Sequence, residues 1–493
     1  MANVVLTGEG FEIVEDKGEL VYNVKQQFKF SRDEKAFVNE VEDKAIRDID
    51  ITPTGMADAR TKRGTLLSSI VKMIDEFIAF KGKGVIGSLS EDKKNAMAEY
   101  IANNMLGYGV IDPLLDDDNL EEVMIIGVNS PVYVAHRKHG TMPTNIAFED
   151  DEEIQRIIEK IGRFTGRKID LANPLLDARL PDGSRVNATL RPASLDGSTV
   201  TIRKFKAEAL TMINIIKFGT LSTGVASFLW MAVDGLGVRP SNVLVSGGTG
   251  SGKTTTLNCL GLFVPKRDRV ITIEDTAELQ LPLAHKIRLE TKPPNIEGKG
   301  GLNFNQLLIN TLRMRPDRLI LGEVRGEEAE TLFVAMNTGH DGCMGTVHAN
   351  SANETITRLI NPPMNVPIIM MPALDLIIMQ NRISVGGKIR RRITEIAEVS
   401  GIEMDKVLLN RIYVHDPKSD VVKDTGVPSR LTMEIAEKAG LEPKDVKVEM
   451  ERRQIVLDYL VKKEITKLEE VYAWVQDYYL DEGKVLERIE KTL

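Results

Sequence analysis

The residues from Gly247 to Thr255 have the types and the spacing that phosphate binding requires. They read GGTGSGKTT and fit the pattern G-x-x-x-x-G-K-[ST]. Glycines let such a loop curl until its N–H groups face phosphate oxygens, and the N-terminus of a following helix adds positive potential. In this pattern Lys253 reaches the β- and γ-phosphates of a nucleotide, and the Thr254 hydroxyl binds Mg²⁺. The predicted nucleotide-binding residues are Gly247, Gly248, Thr249, Gly250, Ser251, Gly252, Lys253, Thr254 and Thr255.

Alternating strands and helices surround this loop. The apolar run from Val243 to Val245 leads into it, and a helix-compatible stretch from Thr254 to Leu262 follows it. Three further strands are predicted downstream, at Val270–Glu274, Leu319–Leu321 and Gly345–His348. This β-α alternation is typical of an α/β fold with a largely parallel sheet, and it predicts ATP and Mg²⁺ as cofactors of a P-loop domain.

Two acidic residues and a histidine stand where predicted strands end, at Glu274, Glu323 and His348. Side chains at the carboxyl ends of parallel strands share one crevice, and phosphoryl transfer depends on positioning and electrostatics there. Glu323 is predicted to hold Mg²⁺ or its waters, and either Glu323 or Glu274 to polarise the attacking water. His348 is predicted to contact the γ-phosphate as a neutral donor. Each of these residues also has an alternative interpretation without chemistry. Glu323 would simply end a strand at the surface, Glu274 would belong to a solvated acidic turn, and His348 would form structural hydrogen bonds.

Composition restricts the remaining function classes. The net charge of −8 argues against a broad nucleic-acid surface, although it allows a local basic groove. Cys259 and Cys343 lie far apart without a C-x-x-C pattern, which predicts no disulfide framework or zinc site and fits a reducing cytoplasm. The N-terminus lacks the apolar region of a signal peptide, and the most apolar segment, Val366–Met379, is too interrupted to span a bilayer. Any membrane role is therefore expected to act through a partner.

Changes in pattern along the 493 residues predict five regions. They are an N-terminal strand and helical region over 1–105, a smaller α/β domain over 106–205, a linker or hinge over 206–240, the P-loop ATPase domain over 241–425 and a helical C-terminal region over 426–493.

Four blocks in order resemble the secretion ATPase superfamily, the motors of type II and type IV secretion, type IV pili, tight-adherence pili and the archaellum. The blocks are GGTGSGKTT, ITIEDTAELQL, LILGEVRG and GHDGCMGTVHANS. The resemblance covers roughly residues 106–420 and implies a RecA-like ATPase domain preceded by an α/β domain that also contacts nucleotide. The stretches at 358–383 and 390–403 resemble the archaeal branch, whereas 289–300 resembles the tight-adherence branch.

Arginines of the upstream domain reach the nucleotide in this superfamily. The resemblance therefore suggests Arg185 and Arg203 as catalytic candidates, with Arg191 beside them. Arg313 and Arg315, just before the Glu323 strand, are further candidates for the site or for a subunit boundary. A surface role without chemistry is the alternative for each of these arginines.

The resemblance also implies an activity and partners. It predicts a homo-hexameric, Mg²⁺-dependent ATPase on the cytoplasmic face of the cell membrane. With the archaeal branch favoured, its expected task is assembly of a type IV pilus-like filament, an archaeal pilus or archaellum, or type II-like secretion. A polytopic platform protein is expected to receive the motion, and pilin-like filament subunits are indirect partners. Extension of the filament is favoured over retraction, and no nucleic acid is expected as a partner. The alternatives are a nucleic-acid translocase or conjugation-type secretion ATPase, and a slowly hydrolysing nucleotide switch.

Overall fold

The computed structural model describes residues 3–8, 10–25, 30–49, 63–81, 89–205, 209–292, 294, 299–386 and 388–492. The chain forms two compact units, Met1–Ala207 and Glu208–Leu493. Residues 206–208 of the predicted hinge, and 293 and 295–298 of the segment that resembles the tight-adherence branch, lie outside the described residues.

The described part of the first unit holds a nine-stranded sheet. In chain order the strands are β1 Asn3–Thr7, β2 Phe11–Asp16, β3 Glu19–Val24, β4 Leu120–Ile126, β5 Pro131–His136, β6 Gly140–Ala147, β7 Leu175–Arg179, β8 Arg185–Thr189 and β9 Thr199–Arg203. Their order across the sheet is β1-β2-β3-β6-β5-β4-β9-β8-β7. All neighbours are antiparallel except β3 and β6, which meet at the single pair Tyr22 and Thr144. Six of these strands, β4 to β9, lie within the predicted smaller α/β domain over 106–205.

Helices of the first unit form two groups. Helices α1 Arg32–Asp48, α2 Arg63–Lys81 and α3 Glu91–Leu106 share a small core of their own, separate from the sheet. The short α4 Asp112–Asp116 precedes β4, and α5 Asp151–Thr165 packs three buried isoleucines against the sheet. Asp150 caps the N-terminus of α5, and Gly166, at φ 65°, ends it.

The second unit is built on another nine-stranded sheet within the described residues. Its strands are β10 Val243–Ser246, β11 Val270–Glu274, β12 Lys286–Glu290, β13 Arg318–Val324, β14 Met344–Val347, β15 Leu376–Val385, β16 Lys388–Glu403, β17 Lys406–Asp416 and β18 Val421–Asp424. The order is β12-β11-β13-β14-β10-β15-β16-β17-β18. The first six strands in this order are parallel, and β15 to β18 continue as an antiparallel meander. Since β10 and β11 are buried along their whole length, they are the continuous apolar runs expected of a covered parallel sheet.

Helices cover both faces of this sheet. They are α6 Met212–Lys217, α7 Thr223–Asp234, α8 Lys253–Gly261, α9 Phe304–Thr311, α10 Glu328–Asn337, α11 Ala352–Ile360, α12 Arg430–Ala439, α13 Pro443–Lys462, α14 Leu468–Leu480 and α15 Glu482–Glu490. One core contains α7, α8 and the C-terminal helices, and a second core contains α9, α10 and α11. The predicted fold class is confirmed: a P-loop α/β domain follows a smaller α/β domain, and the chain ends in a helical region.

Helices α6 and α7 occupy the described part of the predicted linker, and they lie inside the second unit. Every residue of α7 from Val225 to Asp234 is buried. Its Trp230 stacks on Phe263 at 5.1 Å between ring centroids, and its Asp234 binds Arg453 of α13 at 2.8 Å. A helix that is buried on all sides is a core helix rather than a connector, so α7 is part of the core of the second unit.

Candidate nucleotide-binding site

The predicted phosphate-binding loop joins β10 to α8, and its geometry depends on glycine. A Cβ on Gly247 would lie 2.0 Å from the backbone oxygen of Gln380, so no side chain fits there. Gly250 and Gly252 have φ of 69° and 99°, in the left-handed region that glycine adopts at little cost. Without these glycines the backbone between β10 and α8 could not follow this path.

Lys253, the first residue of α8, folds back over the loop. Its Nζ donates a hydrogen bond to the Gly248 carbonyl oxygen at 3.1 Å. Burial lowers the pKa of Lys253, and the nearby carboxylate of Glu323 acts in the opposite direction. The predicted carboxylate therefore lies close enough to Lys253 to affect the pKa of the lysine.

The loop has the features that a phosphate chain requires. The space beside Gly248 is open, and the amides of Thr249 and Gly250 donate to no acceptor among the described residues. Thr254 and Thr255 lie half-buried in the first turn of α8, where backbone N–H groups have no partner within the helix. Ser251 is 1% exposed, and its hydroxyl has no partner in the described part of the chain. These donors at a helix N-terminus suit an anionic ligand.

The strand order brings the other predicted site residues to the same edge of the sheet. Strands β11, β13, β14 and β10 are consecutive neighbours and all run parallel. Glu274 is the last residue of β11, Glu323 lies next to the end of β13, and His348 directly follows β14. Their carboxyl ends therefore form one row with the loop that follows β10, as the crevice rule for such sheets requires.

A β-bulge near the end of β13 sets the direction of Glu323. Leu321 pairs with Gly345 and Val324 with Val347, so β13 has one more residue than β14 between these pairs. The extra residue falls at Gly322–Glu323, where Thr346 Oγ1 donates to the Gly322 carbonyl oxygen at 2.6 Å. Bulges next to active sites re-aim a side chain, and the sequence gives no sign of this one.

Glu274 is a buried carboxyl group with its own backbone partners. It is 2% exposed and accepts hydrogen bonds from the N–H groups of Glu278 at 2.5 Å and Leu279 at 2.9 Å. Burial raises its pKa from 4.5 to about 7, and the two backbone donors only partly offset this effect. The alternative of a solvated turn is therefore wrong for Glu274, which exists in both protonation states near neutral pH.

His348 is half-buried and lines a cleft of about 420 Å³ with Arg325, Arg358 and Met364. Arg325 pairs with Asp275, directly after Glu274, and Arg358 pairs with Glu354. The cleft thus begins at the same edge of the sheet and continues along α11.

Three residues of β15 and β16 contact the loop and were not predicted from the sequence. Gln380 accepts a hydrogen bond from Thr256 Oγ1 at 2.6 Å and lies against Gly247 and Gly252. Arg391 donates from Nε to the Gly250 carbonyl oxygen at 2.9 Å, and Arg382 lies beside the same glycine. These contacts depend on how β15 pairs with β10 and with β16, so no sequence motif could have found them.

The predicted arginines of the upstream domain lie on one sheet of the first unit. Arg185 of β8 stands opposite Arg203 of β9 on one side and opposite Arg179 of β7 on the other. Arg191 follows β8 and is exposed. Arg313 and Arg315, in the second unit, are exposed before β13. Contact of any of these arginines with nucleotide stays a prediction.

A Mg²⁺ site at this edge needs few protein ligands, because the ion commonly keeps waters and binds phosphates with one or two carboxylates. Thr254 and Glu323 are the residues that would hold it here. No cluster of three or more His, Cys, Asp or Glu side chains suited to a metal occurs in the described ranges. The two cysteines are buried, and burial raises the pKa of Cys343 to about 12. Among the described helices, none has the length and apolarity needed to cross a membrane.

The fold and the loop define a P-loop nucleotide-binding protein of the α/β class. The family described as "Type II/IV secretion system protein" matches residues 105–407, and the chain belongs to that family of secretion ATPases. Family membership implies nucleotide binding and ATP hydrolysis.

Individual relatives span several systems. An uncharacterized protein of Methanocaldococcus jannaschii is 34% identical over 77% of this chain and 76% of its own length. A putative conjugal transfer protein of Mycobacterium tuberculosis is 32% identical over 55% of this chain and 77% of its own. Among solved structures, the VirB11 ATPase of the Brucella suis type IV secretion system, in complex with sulphate, is 26% identical over 58% of this chain and 93% of that chain, with a TM-score of 0.30.

Proposed function

We propose that this chain is an ATP-hydrolysing homo-hexameric motor that assembles a type IV pilus-like filament, an archaeal pilus or archaellum, through a polytopic membrane platform protein. The observation that carries the proposal is the row formed by Glu274, Glu323, His348 and the loop at one sheet edge. A secretion motor requires such a constellation, because its work depends on repeated cleavage of a bound nucleotide.

The residues of this edge divide the work of hydrolysis. Lys253 and the loop amides hold the phosphate chain, and Thr254 with Glu323 would hold Mg²⁺, which supplies charge neutralisation when bound. Glu274 has the raised pKa of a general base and accepts the proton of the attacking water, with Glu323 as the alternative base. His348 donates a hydrogen bond toward the terminal phosphate. The superfamily resemblance adds Arg185 and Arg203, which lie outside this edge, as candidates to supply further positive charge to the nucleotide.

Two candidates exist for the machine that this motor serves. The M. jannaschii relative matches 77% of the chain, including sequence outside 105–407, and this breadth supports the archaeal branch that the first candidate, the filament motor, assumes. The putative conjugal transfer protein matches 55% of the chain and supports the second candidate, a conjugation-type secretion ATPase. The net charge of −8 favours the first candidate, because a nucleic-acid translocase needs a basic groove.

Capture of the motor on its membrane partner distinguishes these candidates. The variant Glu323→Gln is expected to hold ATP without cleaving it, which prolongs the bound state. Tagged Glu323→Gln is recovered from native membranes with ATP and Mg²⁺, and co-purifying proteins are identified by mass spectrometry. The control is Glu327→Gln, which removes an exposed carboxylate four residues further along the chain.

Enrichment of a polytopic platform protein with pilin-like subunits, above the Glu327→Gln control, is the expected result. Enrichment of DNA with a coupling protein, and no platform, would replace the filament motor with the conjugation-type ATPase. Unimpaired ATP cleavage by Glu323→Gln would contradict the role proposed for that carboxylate.

A further inference from the structure

We propose that Arg382 and Arg391 bind the phosphate chain of the nucleotide from the side of the loop opposite to Glu274 and Glu323. This inference rests on the proposed function, because it assigns two more ligands to the same nucleotide. Strands β15 and β16 supply these arginines, and neither strand carries a residue predicted to act at the site. The loop would then hold its ligand between strands on both sides of β10.

The two arginines form a cross-strand pair next to the loop. Arg382 of β15 is the direct partner of Arg391 in the antiparallel register with β16. Side chains of directly opposed residues share one face of a sheet. Arg391 Nε donates to the Gly250 carbonyl oxygen at 2.9 Å, and a Cβ on Gly250 would lie 3.6 Å from Arg382 Nη1. Both guanidinium groups therefore lie at the loop's third glycine.

Their charges are not neutralised within the described protein. Like charges directly opposite each other on a sheet are destabilising, and neither arginine forms an ion pair within the described ranges. The next residue, Arg392, shows the contrast. It is 3% exposed and binds Asp420 at 2.8 Å. An anion bound at the loop would supply the counter-charge that Arg382 and Arg391 lack.

The guanidinium group suits this role. Its planar fork binds phosphate through two parallel hydrogen bonds, which a lysine cannot do. Because Arg391 uses Nε for the Gly250 carbonyl, its two terminal nitrogens are left for a ligand. Arg382 makes no hydrogen bond to the loop among the described residues, so its whole donor set is available. Arg391 thus positions the loop and contacts the anion, and Arg382 contacts the anion alone.

The test compares Arg382→Gln and Arg391→Gln with Arg390→Gln in the full chain. Arg390 is exposed on the same strand and faces the other side of the sheet, opposite Ile383, so its variant is a matched control. Affinity for ATP and for inorganic tripolyphosphate is measured by displacement of a fluorescent ADP analogue. We expect each test variant to bind both ligands roughly tenfold more weakly, the typical effect of losing one charge-assisted hydrogen bond. The control is expected to stay within about twofold of wild type.

Arg382→Gln is decisive, because any effect it has does not come from a lost hydrogen bond to the loop. Unchanged tripolyphosphate affinity in Arg382→Gln would overturn the inference, whether or not ATP affinity falls. The melting temperature of each variant without nucleotide is measured to check that the fold is retained. It is expected to equal or exceed that of wild type. Lys253→Ala separates this inference from the proposed function. Normal ATP binding by Lys253→Ala would contradict the proposed function itself. If Lys253→Ala loses ATP binding while Arg382→Gln and Arg391→Gln bind normally, only this inference would be overturned.

Discussion

Replacement of Glu274 by glutamine is expected to change how the rate of ATP hydrolysis depends on pH, because burial of Glu274 raises the pKa of its carboxyl group. Glu274 is 2% exposed, and burial raises its pKa from 4.5 to about 7. The group is an acid with a raised pKa, so its charged, basic form is present only above about pH 7. About one-tenth of the molecules carry the carboxylate at pH 6 and about nine-tenths at pH 8. If Glu274 accepts the proton of the attacking water, turnover of wild type rises about tenfold between these values.

The assay is the rate of ATP hydrolysis at saturating ATP from pH 5.5 to 8.5. In wild type the rate is expected to rise with pH around pH 7, and this rise is called the limb near pH 7. Glu274→Gln is expected to lose about 10²-fold or more in turnover and to lose this limb, because its amide neither titrates nor accepts a proton. The control Glu327→Gln, in which an exposed carboxylate is removed, keeps both the rate and the limb. A limb near pH 7 that persists in Glu274→Gln would refute the assignment of the base.

The same shift has a consequence for stability. The folded protein binds the proton of Glu274 more tightly than the unfolded chain does, so stability is lost as pH rises from 4.5 to about 7. A shift of this size corresponds to about 3 kcal/mol. Between pH 5 and pH 8, the free energy of unfolding in urea should therefore fall further for wild type than for Glu274→Gln. Equal changes in the two proteins would contradict the raised pKa.

Two further substitutions test the loop and the C-terminal helices. Gly247→Ala places a methyl group 2.0 Å from the Gln380 carbonyl oxygen and is expected to weaken ATP binding more than tenfold. Gly64→Ala, on an exposed position of α2 where an added methyl group meets nothing within 4 Å, serves as its control in the same titration. Equal affinities of the two variants would contradict the loop geometry. Arg453→Ala leaves the buried carboxylate of Asp234 without its partner and is expected to lower the free energy of unfolding in urea by about 3–5 kcal/mol. The control is Arg452→Ala, at a half-exposed position, which is expected to lower it by at most ~1 kcal/mol. A small loss in Arg453→Ala would show that the C-terminal helices do not depend on this ion pair.

Much of the catalytic edge could be predicted because its signals are local. The glycines and the lysine of the loop lie within nine residues, and the strand Val270–Glu274 is a continuous apolar run with the bounds predicted for it. Parallel strands of one sheet end at one edge, so the placement of Glu274, Glu323 and His348 follows once the strands are known. The predicted linker over 206–240 contains α7, whose largely apolar sequence is typical of a core helix rather than of a connector.

The remaining features depend on register and on contacts between distant residues. The bulge at Gly322–Glu323 arises from pairing with β14, and the arginine pair beside Gly250 arises from pairing between β15 and β16. The ion pair between Asp234 and Arg453 joins residues that are 219 positions apart. A single sequence contains no local signal for such pairs, because burial and pairing are set by the whole unit rather than by neighbouring residues.

The central claim is that ATP is bound and cleaved at the loop from Gly247 to Thr255. The most direct test measures ATP binding and phosphate release by Lys253→Ala, with Lys438→Ala, an exposed lysine of α12, as the control. The account predicts that Lys253→Ala loses both activities while Lys438→Ala keeps both. Wild-type binding and hydrolysis by Lys253→Ala would contradict the account, because the loop would then not be the site of the reaction.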